Sequence, residues 1–238
     1  MANPLRRLLR RFRGERRARP RPRTLLSRPQ AVMLGSDYGG YIVDESRLGP
    51  DSVVYSVGIG EDASFDFSLI ERCGTTVHAF DPTPRSIAWV EAQSGPQQFF
   101  FHPWGVAGYD GVARFTPPVD PTHVSHTVLS REAASGPPIE VEVRRLRTVM
   151  RELGHERLDV LKMDIEGAEY EVIEDLLASA IPVDQLLLEF HHHLPGVALE
   201  RTEAAIDALE AAGYRIFGMR ESGRELSFIR VEPVALAG

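Results

Sequence analysis

Short apolar runs alternate with amphipathic segments along this chain from Ala31 onward. Val53–Val57 (VVYSV) has the pattern of a buried strand and runs into Gly58-Ile59-Gly60, after which Ala63–Arg72 takes up helical spacing. The alternation continues with strands at Thr75–Phe80, Gln98–Phe101, Leu158–Met163 and Asp184–Phe190. Helices are expected at Ser86–Gln93, Leu146–Leu153, Ala168–Ala178 and Ala198–Ala212, and Val141–Arg145 adds a further strand. Gly105–Pro138 is richer in Gly, Pro and His and predicts loops with one short strand near Val112–Phe115. Strands separated by helices pair in parallel, with helices on both faces of the sheet. Tyr214–Met219 and Glu225–Val231, joined over Glu221–Arg224, are too close for that and predict an antiparallel hairpin. The expected fold is a doubly wound α/β domain with a mostly parallel seven-stranded sheet closed by a C-terminal hairpin.

Charge divides the chain in two. Residues 1–30 hold eleven arginines and one acid, Glu15, within an overall charge of −7; removing them leaves residues 31–238 with 16 basic and 33 acidic side chains, net −17. A basic arm over 1–30 therefore precedes a single acidic domain over 31–238. Leu5, Leu8, Leu9 and Phe12 recur at helical spacing within the arm, and Pro20 and Pro22 end that pattern. Such an arm suits either weak contact with an anionic membrane surface or a solvated tail. The acidic domain is a poor partner for a nucleic-acid backbone, so no nucleic-acid partner is expected. No window approaches the roughly 20 apolar residues of a membrane span, and no apolar stretch of export-signal length follows the arginine pairs. Cys73 is the single cysteine, which excludes an internal disulfide framework. A cytoplasmic protein is expected; its oligomeric state is left open.

Ligands of an open α/β sheet bind beyond the carboxyl ends of its strands. Those ends here are Gly58–Asp62, Asp81, Gly105–Ala107, Asp164–Glu169 and Glu189–His193. Gly58 and Gly60 let backbone approach a ligand closely. A pyrophosphate site needs a third Gly at the position of Ala63 and no acids beside it, whereas Glu61 and Asp62 stand there. Acids suit a cationic sulfonium and ammonium better. Asp81 follows Gly60 by 21 residues, the place of an acid that accepts from ribose hydroxyls. Along Val160-Leu161-Lys162-Met163-Asp164, strand alternation puts Lys162 and Asp164 on one face, with Glu166 capping the next helix and Gly167 allowing a close turn. Lys162 is the only lysine, against 26 arginines.

The run LKMDIEGAEYEVIEDL resembles the signature of the FkbM family of methyltransferases, and VVYSVGIGEDASFDFSLI and VHAFDPTP resemble the cofactor segments of one branch of it. The likeness covers roughly residues 33–232. It implies a Rossmann-like class I methyltransferase fold, S-adenosylmethionine as cofactor, and methyl transfer to a hydroxyl oxygen of a sugar, glycan or natural product. By that likeness Gly58, Gly60, Glu61 and Asp81 belong to the cofactor site, and Asp164 and Glu166 lie near the reacting centre. Ser56, Asp62, Phe80 and Val106, with Asp164 and Glu166, are the further candidates for cofactor contact. Ser56 departs from the pattern, because methyltransferases of this fold often carry an acid there; Glu61 or Asp62 would then meet the methionine amine.

The candidate catalytic residues are Asp164, Glu189 and His191 as alternative bases, with Lys162 orienting Asp164. His191-His192-His193 cannot all point one way, and no helix-spaced pair supports a metal, so no metal ligands are assigned although a divalent ion is left open. His123 and His126 are candidates for the acceptor pocket. A nicotinamide-dependent reductase and a non-catalytic cofactor-binding scaffold are the competing readings.

Overall fold

Side-chain alternation along the central strands gives the sheet two apolar faces, and the helices sort onto them. The computed structural model describes residues 19–118, 127 and 136–231. In chain order these form β1 (Ala31–Leu34), β2 (Tyr41–Asp44), β3 (Val53–Val57), α1 (Ser64–Cys73), β4 (Thr76–Phe80), α2 (Pro84–Glu91), β5 (Phe99–His102), β6 (Gly105–Ala107), β7 (Gly111–Phe115) and β8 (Ile139–Arg145). There follow α3 (Leu146–Leu153), β9 (Leu158–Met163), α4 (Glu169–Ala178), β10 (Val183–Glu189), α5 (Leu199–Ala211), β11 (Tyr214–Met219) and β12 (Glu225–Arg230). Seven strands make the main sheet in the order β11-β12-β10-β9-β3-β4-β5. β10, β9, β3, β4 and β5 are parallel, and β12 pairs antiparallel with both β10 and β11. The chain order reverses between β3 and β9, and the switch point lies there.

Tyr55, Val57, Leu161, Met163, Leu186 and Leu188 face α3, α4 and α5, whereas Val54, Val160 and Leu187 face α1 and the β1–β2 hairpin. All nine are at most 1% exposed, and each contributes on the order of 1.5–3 kcal/mol on burial. The hairpin is an element that periodicity did not predict. It lies flat on the sheet through polar pegs: buried Gln185 of β10 exchanges two 2.9 Å hydrogen bonds with the backbone of Asp44, and Ser227 of β12 donates to the Ile42 carbonyl. Those pegs satisfy Gln185 and Ser227, which would otherwise be costly in an apolar core.

The Gly105–Pro138 segment also differs from expectation. β6, β7 and β8 form a separate three-stranded sheet, with β8 pairing parallel to β6 and antiparallel to β7. β6 is only three residues long, too short for a period to show. His123 and His126 lie outside the described residues, as does the arm up to residue 18. From Arg19 the chain lies on the domain. Leu26 N–H donates to the Ile216 carbonyl, Arg21 and Arg23 pair with Glu203 and Asp207 of α5, Arg23 also reaches Glu210, and Arg28 pairs with Asp44. Among the described residues no helix is long and apolar enough to cross a membrane.

Candidate cofactor and active site

β9, β3 and β4 end at one rim because their last backbone groups are tied together. Asp164 N–H donates to the Val57 carbonyl at 3.0 Å, and Gly58 N–H to the Phe80 carbonyl at 2.9 Å. Gly58 turns away at φ 84°, and a side chain there would put its Cβ 1.8 Å from the Asp164 carbonyl oxygen. Only glycine fits that position. Gly60 N–H then donates to Asp81 Oδ2 at 2.9 Å, while Thr83 donates to Asp81 Oδ1 from both backbone and hydroxyl. Asp81 thus ties the glycine turn to the end of β4, and its Oδ2 keeps acceptor capacity for a ligand hydroxyl.

A cavity of about 330 Å³ opens over this rim. Gly58, Gly60, Asp62, Phe80, Asp81, Val106, Lys162, Asp164 and Glu166 all line it. Ser56, Glu61, Glu189 and His191 are not among its lining residues. Ser56 is fully buried behind the turn. Glu61 points outward into an ion pair with Arg85 at 2.7 Å, leaving Asp62 as the acid of that pair which faces the cavity. Asp62 accepts from Ser64 N–H at 2.8 Å and from the Ser36 hydroxyl. Burial raises the pKa of Asp62, but these donors and nearby Lys162 outweigh it and hold the carboxyl below its usual range.

Sequence reasoning missed several cavity residues. Tyr38 and Gly39 come from the β1–β2 loop, whose Ser36 is tied to Asp62 and Ser64 and whose Gly40 carbonyl accepts from Arg220 at 2.9 Å. Tyr109 and Glu171 also line the cavity. Tyr38 is 79% and Tyr109 44% exposed; large aromatics left open at a pocket mouth are the one signal that could have found them, and it needs tertiary structure.

The Asp164–Glu169 turn is held from beneath. Glu166 takes φ 53° without being glycine, a strained conformation. Glu166 does not cap α4: the N-cap is Ala168, which makes no side-chain cap bond. Glu169, fully buried in the helix's first turn, instead holds the turn before the helix, accepting from Ile165 N–H at 2.9 Å and Gly167 N–H at 3.0 Å. Glu169 Oε1 also meets His191 Nδ1 at 2.8 Å, and His191 Nε2 lies 3.5 Å from Asp164 and 3.8 Å from Glu166. Burial opposes a charge on His191, but Glu169, Asp164 and Glu166 prevail and raise its pKa to about 10. Burial raises Asp164 as well, with His191 and Lys162 pulling it back. Glu189 is pushed up to about 8 by burial and by Asp164, against His191 and an Arg224 guanidinium 3.3 Å away. Lys162 donates to the Gly58 carbonyl at 2.8 Å, and its ammonium lies 5.4 Å from the centre of the Tyr41 ring.

Asp164, Glu169 and His191 each offer one ligand atom within 4.8 Å of the others. Within that group Glu169 is bonded to His191 Nδ1 and to the turn backbone, which leaves His191 Nε2 and Asp164 facing each other at 3.5 Å. The charge among these acids is supplied by the imidazolium.

Residues 51–216 match the family model of the methyltransferase FkbM domain. The chain belongs to the FkbM methyltransferase family. The family's cofactor is S-adenosylmethionine, which sets aside the nicotinamide-dependent reductase. The chain is 28% identical over 175 residues to the probable methyltransferase-like protein 24 of Homo sapiens, covering 69% of this chain and 41% of that protein. It is 26% identical over 181 residues to the 31-O-demethyl-FK506 methyltransferase FkbM of Streptomyces tacrolimicus, covering 63% of this chain and 70% of that one. The crystal structure of Methyltransferase FkbM from Methylobacillus flagellatus KT shares 13% identity at a TM-score of 0.49, over 77% of this chain and 44% of that one. The chain thus spans about two fifths of the length of the methyltransferase-like protein 24 relatives. Phe80, Val106 and Val143 give the cavity an apolar lining, and Asp62, Asp81, Asp164, Glu166 and Glu171 line it with carboxyl groups.

Proposed function

We propose that this FkbM-family domain is an O-methyltransferase that acts on a hydroxyl of a small-molecule acceptor, a sugar or natural product, with Asp164 as general base. The observation that carries this reading is the placement of Asp164. It is the one of the three candidate bases that lines the cavity, and its carboxyl is raised toward the working pH by burial. A base is most effective when its pKa approaches that pH. When bound, S-adenosylmethionine supplies an electrophilic methyl group on a sulfonium.

Asp164 takes the acceptor's hydroxyl proton on a carboxylate oxygen as that hydroxyl oxygen gains the methyl group. His191 is protonated at neutral pH, and its Nε2 faces Asp164 at 3.5 Å and Glu166 at 3.8 Å as the positive charge among these acids. Glu169 fixes that imidazolium. Alignment of donor and acceptor by the cavity walls provides a further share of the acceleration. The name of the Streptomyces tacrolimicus relative, a methyltransferase of 31-O-demethyl-FK506, supports a hydroxyl acceptor of natural-product type. The single cysteine supports a cytoplasmic setting.

The test uses labelled S-adenosylmethionine and a panel of hydroxylated acceptors that includes 31-O-demethyl-FK506. Asp164→Asn should lower methyl transfer by about 10²–10⁴-fold while S-adenosylhomocysteine affinity, read by calorimetry, changes less than about threefold. Full turnover in that variant would remove Asp164 as the base.

A further inference from the structure

Lys162 sits on the β9 face that packs under α1 and the β1–β2 hairpin, paired in register with Ser56, and is only 4% exposed. Its ammonium has three donors. One goes to the Gly58 carbonyl at 2.8 Å, and the side chain borders the cavity. Among the described residues lining that cavity are five acids, Asp62, Asp81, Asp164, Glu166 and Glu171, and a single cationic side chain, Lys162. S-adenosylmethionine presents two cationic centres and one carboxylate at its methionine end. The acids answer the cations. A carboxylate placed among five acids needs a cation of its own, because like charges in a partly desolvated site repel strongly.

We propose that Lys162 binds the methionine carboxylate of the cofactor, using the donors that the Gly58 carbonyl leaves free. This assignment rests on the methyltransferase reading, and it moves Lys162 from the reacting centre to cofactor recognition. Lys162 also acts on Asp66 of α1, which is 1% exposed: burial raises that carboxyl, and Lys162 and Ser56 pull it back.

Two ligands that differ only in the carboxylate test the proposal by isothermal calorimetry: S-adenosylhomocysteine and its decarboxylated analogue, S-adenosyl-3-thiopropylamine. If the cavity acids alone governed binding, the analogue, with one more net positive charge, would bind more tightly. With Lys162 in the proposed role, the wild-type protein should prefer S-adenosylhomocysteine by roughly ten- to a hundredfold. Lys162→Met and Lys162→Gln should erase that preference, leaving 5′-methylthioadenosine, which lacks the amino-acid group, bound equally by all three proteins. Equal or reversed affinities in the wild type overturn the assignment even if both variants fail to fold, and so does a preference that survives in either variant. If the wild type binds none of the three adenosyl ligands, the methyltransferase reading itself falls.

Discussion

Replacing Glu169 with Gln removes one charge from the interior and keeps nearly the same shape. Glu169 is fully buried and holds the Ile165 and Gly167 N–H groups as well as His191 Nδ1. A glutamine can keep accepting from the turn but no longer offsets the imidazolium. His191 has its pKa raised from 6.5 to about 10 in the folded protein. The folded state therefore binds that proton more tightly, and the resulting stability is fully present below the unfolded value of 6.5 and vanishes as pH rises through 10. At about 1.4 kcal/mol per pKa unit, the wild type should lose roughly 5 kcal/mol from this group between pH 6.5 and 10. The charged groups around His191 are Glu169 on α4, Asp164 and Glu166 on the turn, and Glu189 at the end of β10. Glu189, raised to about 8, adds its own loss between pH 4.5 and 8. From pH 8 to 10 Cys73 and the buried Tyr41, Tyr55, Tyr170 and Tyr214, all raised, add a loss common to both proteins, so His191 is read from the difference between them. Glu169→Gln should cost about 3 kcal/mol at pH 6.5, as expected when one partner of a buried pair is removed, and its stability should fall less steeply than that of the wild type from pH 8 to 10. Urea denaturation followed by the fluorescence of Trp89 and Trp104 measures both quantities. If the variant's stability falls with pH in parallel with the wild type, Glu169 does not hold the His191 charge.

Gly58→Ala should destabilise by on the order of 3 kcal/mol or more, through φ 84° and a Cβ contact 1.8 Å from the Asp164 carbonyl; a thermal melt unchanged from wild type would mean that the turn can open. On the acid side, His78 stacks with His102 and meets His155, and burial, then those neighbours, lower its pKa from 6.5 to about 4. Because the folded state keeps His78 neutral, its contribution is intact above pH 6.5 and is lost as pH falls toward 4. His78→Phe should reduce that acid loss by on the order of 1–2 kcal/mol after allowance for solvent screening, seen as a smaller drop in urea midpoint from pH 6.5 to 4.5. Arg23→Ala takes the arm's arginine from Glu210 and leaves Glu203 and Asp207 of α5 with Arg21, and should cost about 1 kcal/mol. An unchanged midpoint at low salt would show that the docked end of the arm adds nothing to folding.

Strand and helix periods were enough to place the seven strands of the main sheet and its helices, because most of those elements run five residues or more with a buried face; four-residue β5 is the exception. The glycine turn, the spaced Asp81 and the Lys162–Glu169 run could be read for the same reason: parallel strands deliver their carboxyl ends to one rim, so residues far apart in sequence become neighbours. The β1–β2 hairpin and the three-residue β6 left no such trace. Each is held by pairing and by pegs such as Gln185 that belong to other elements, and a strand of three or four residues has too few alternations to show a period. The sequence likewise offered Glu61 and Asp62, or Asp164, Glu189 and His191, as equals. Adjacent residues on a turn point in different directions, and only the packed structure sends Glu61 to Arg85 and Asp62 to the cavity. The charge on His191 depends on Glu169, 22 residues away in sequence. Composition can list both residues, but burial and distance, which exist only in the folded chain, make one a fixed cation and the other its anchor.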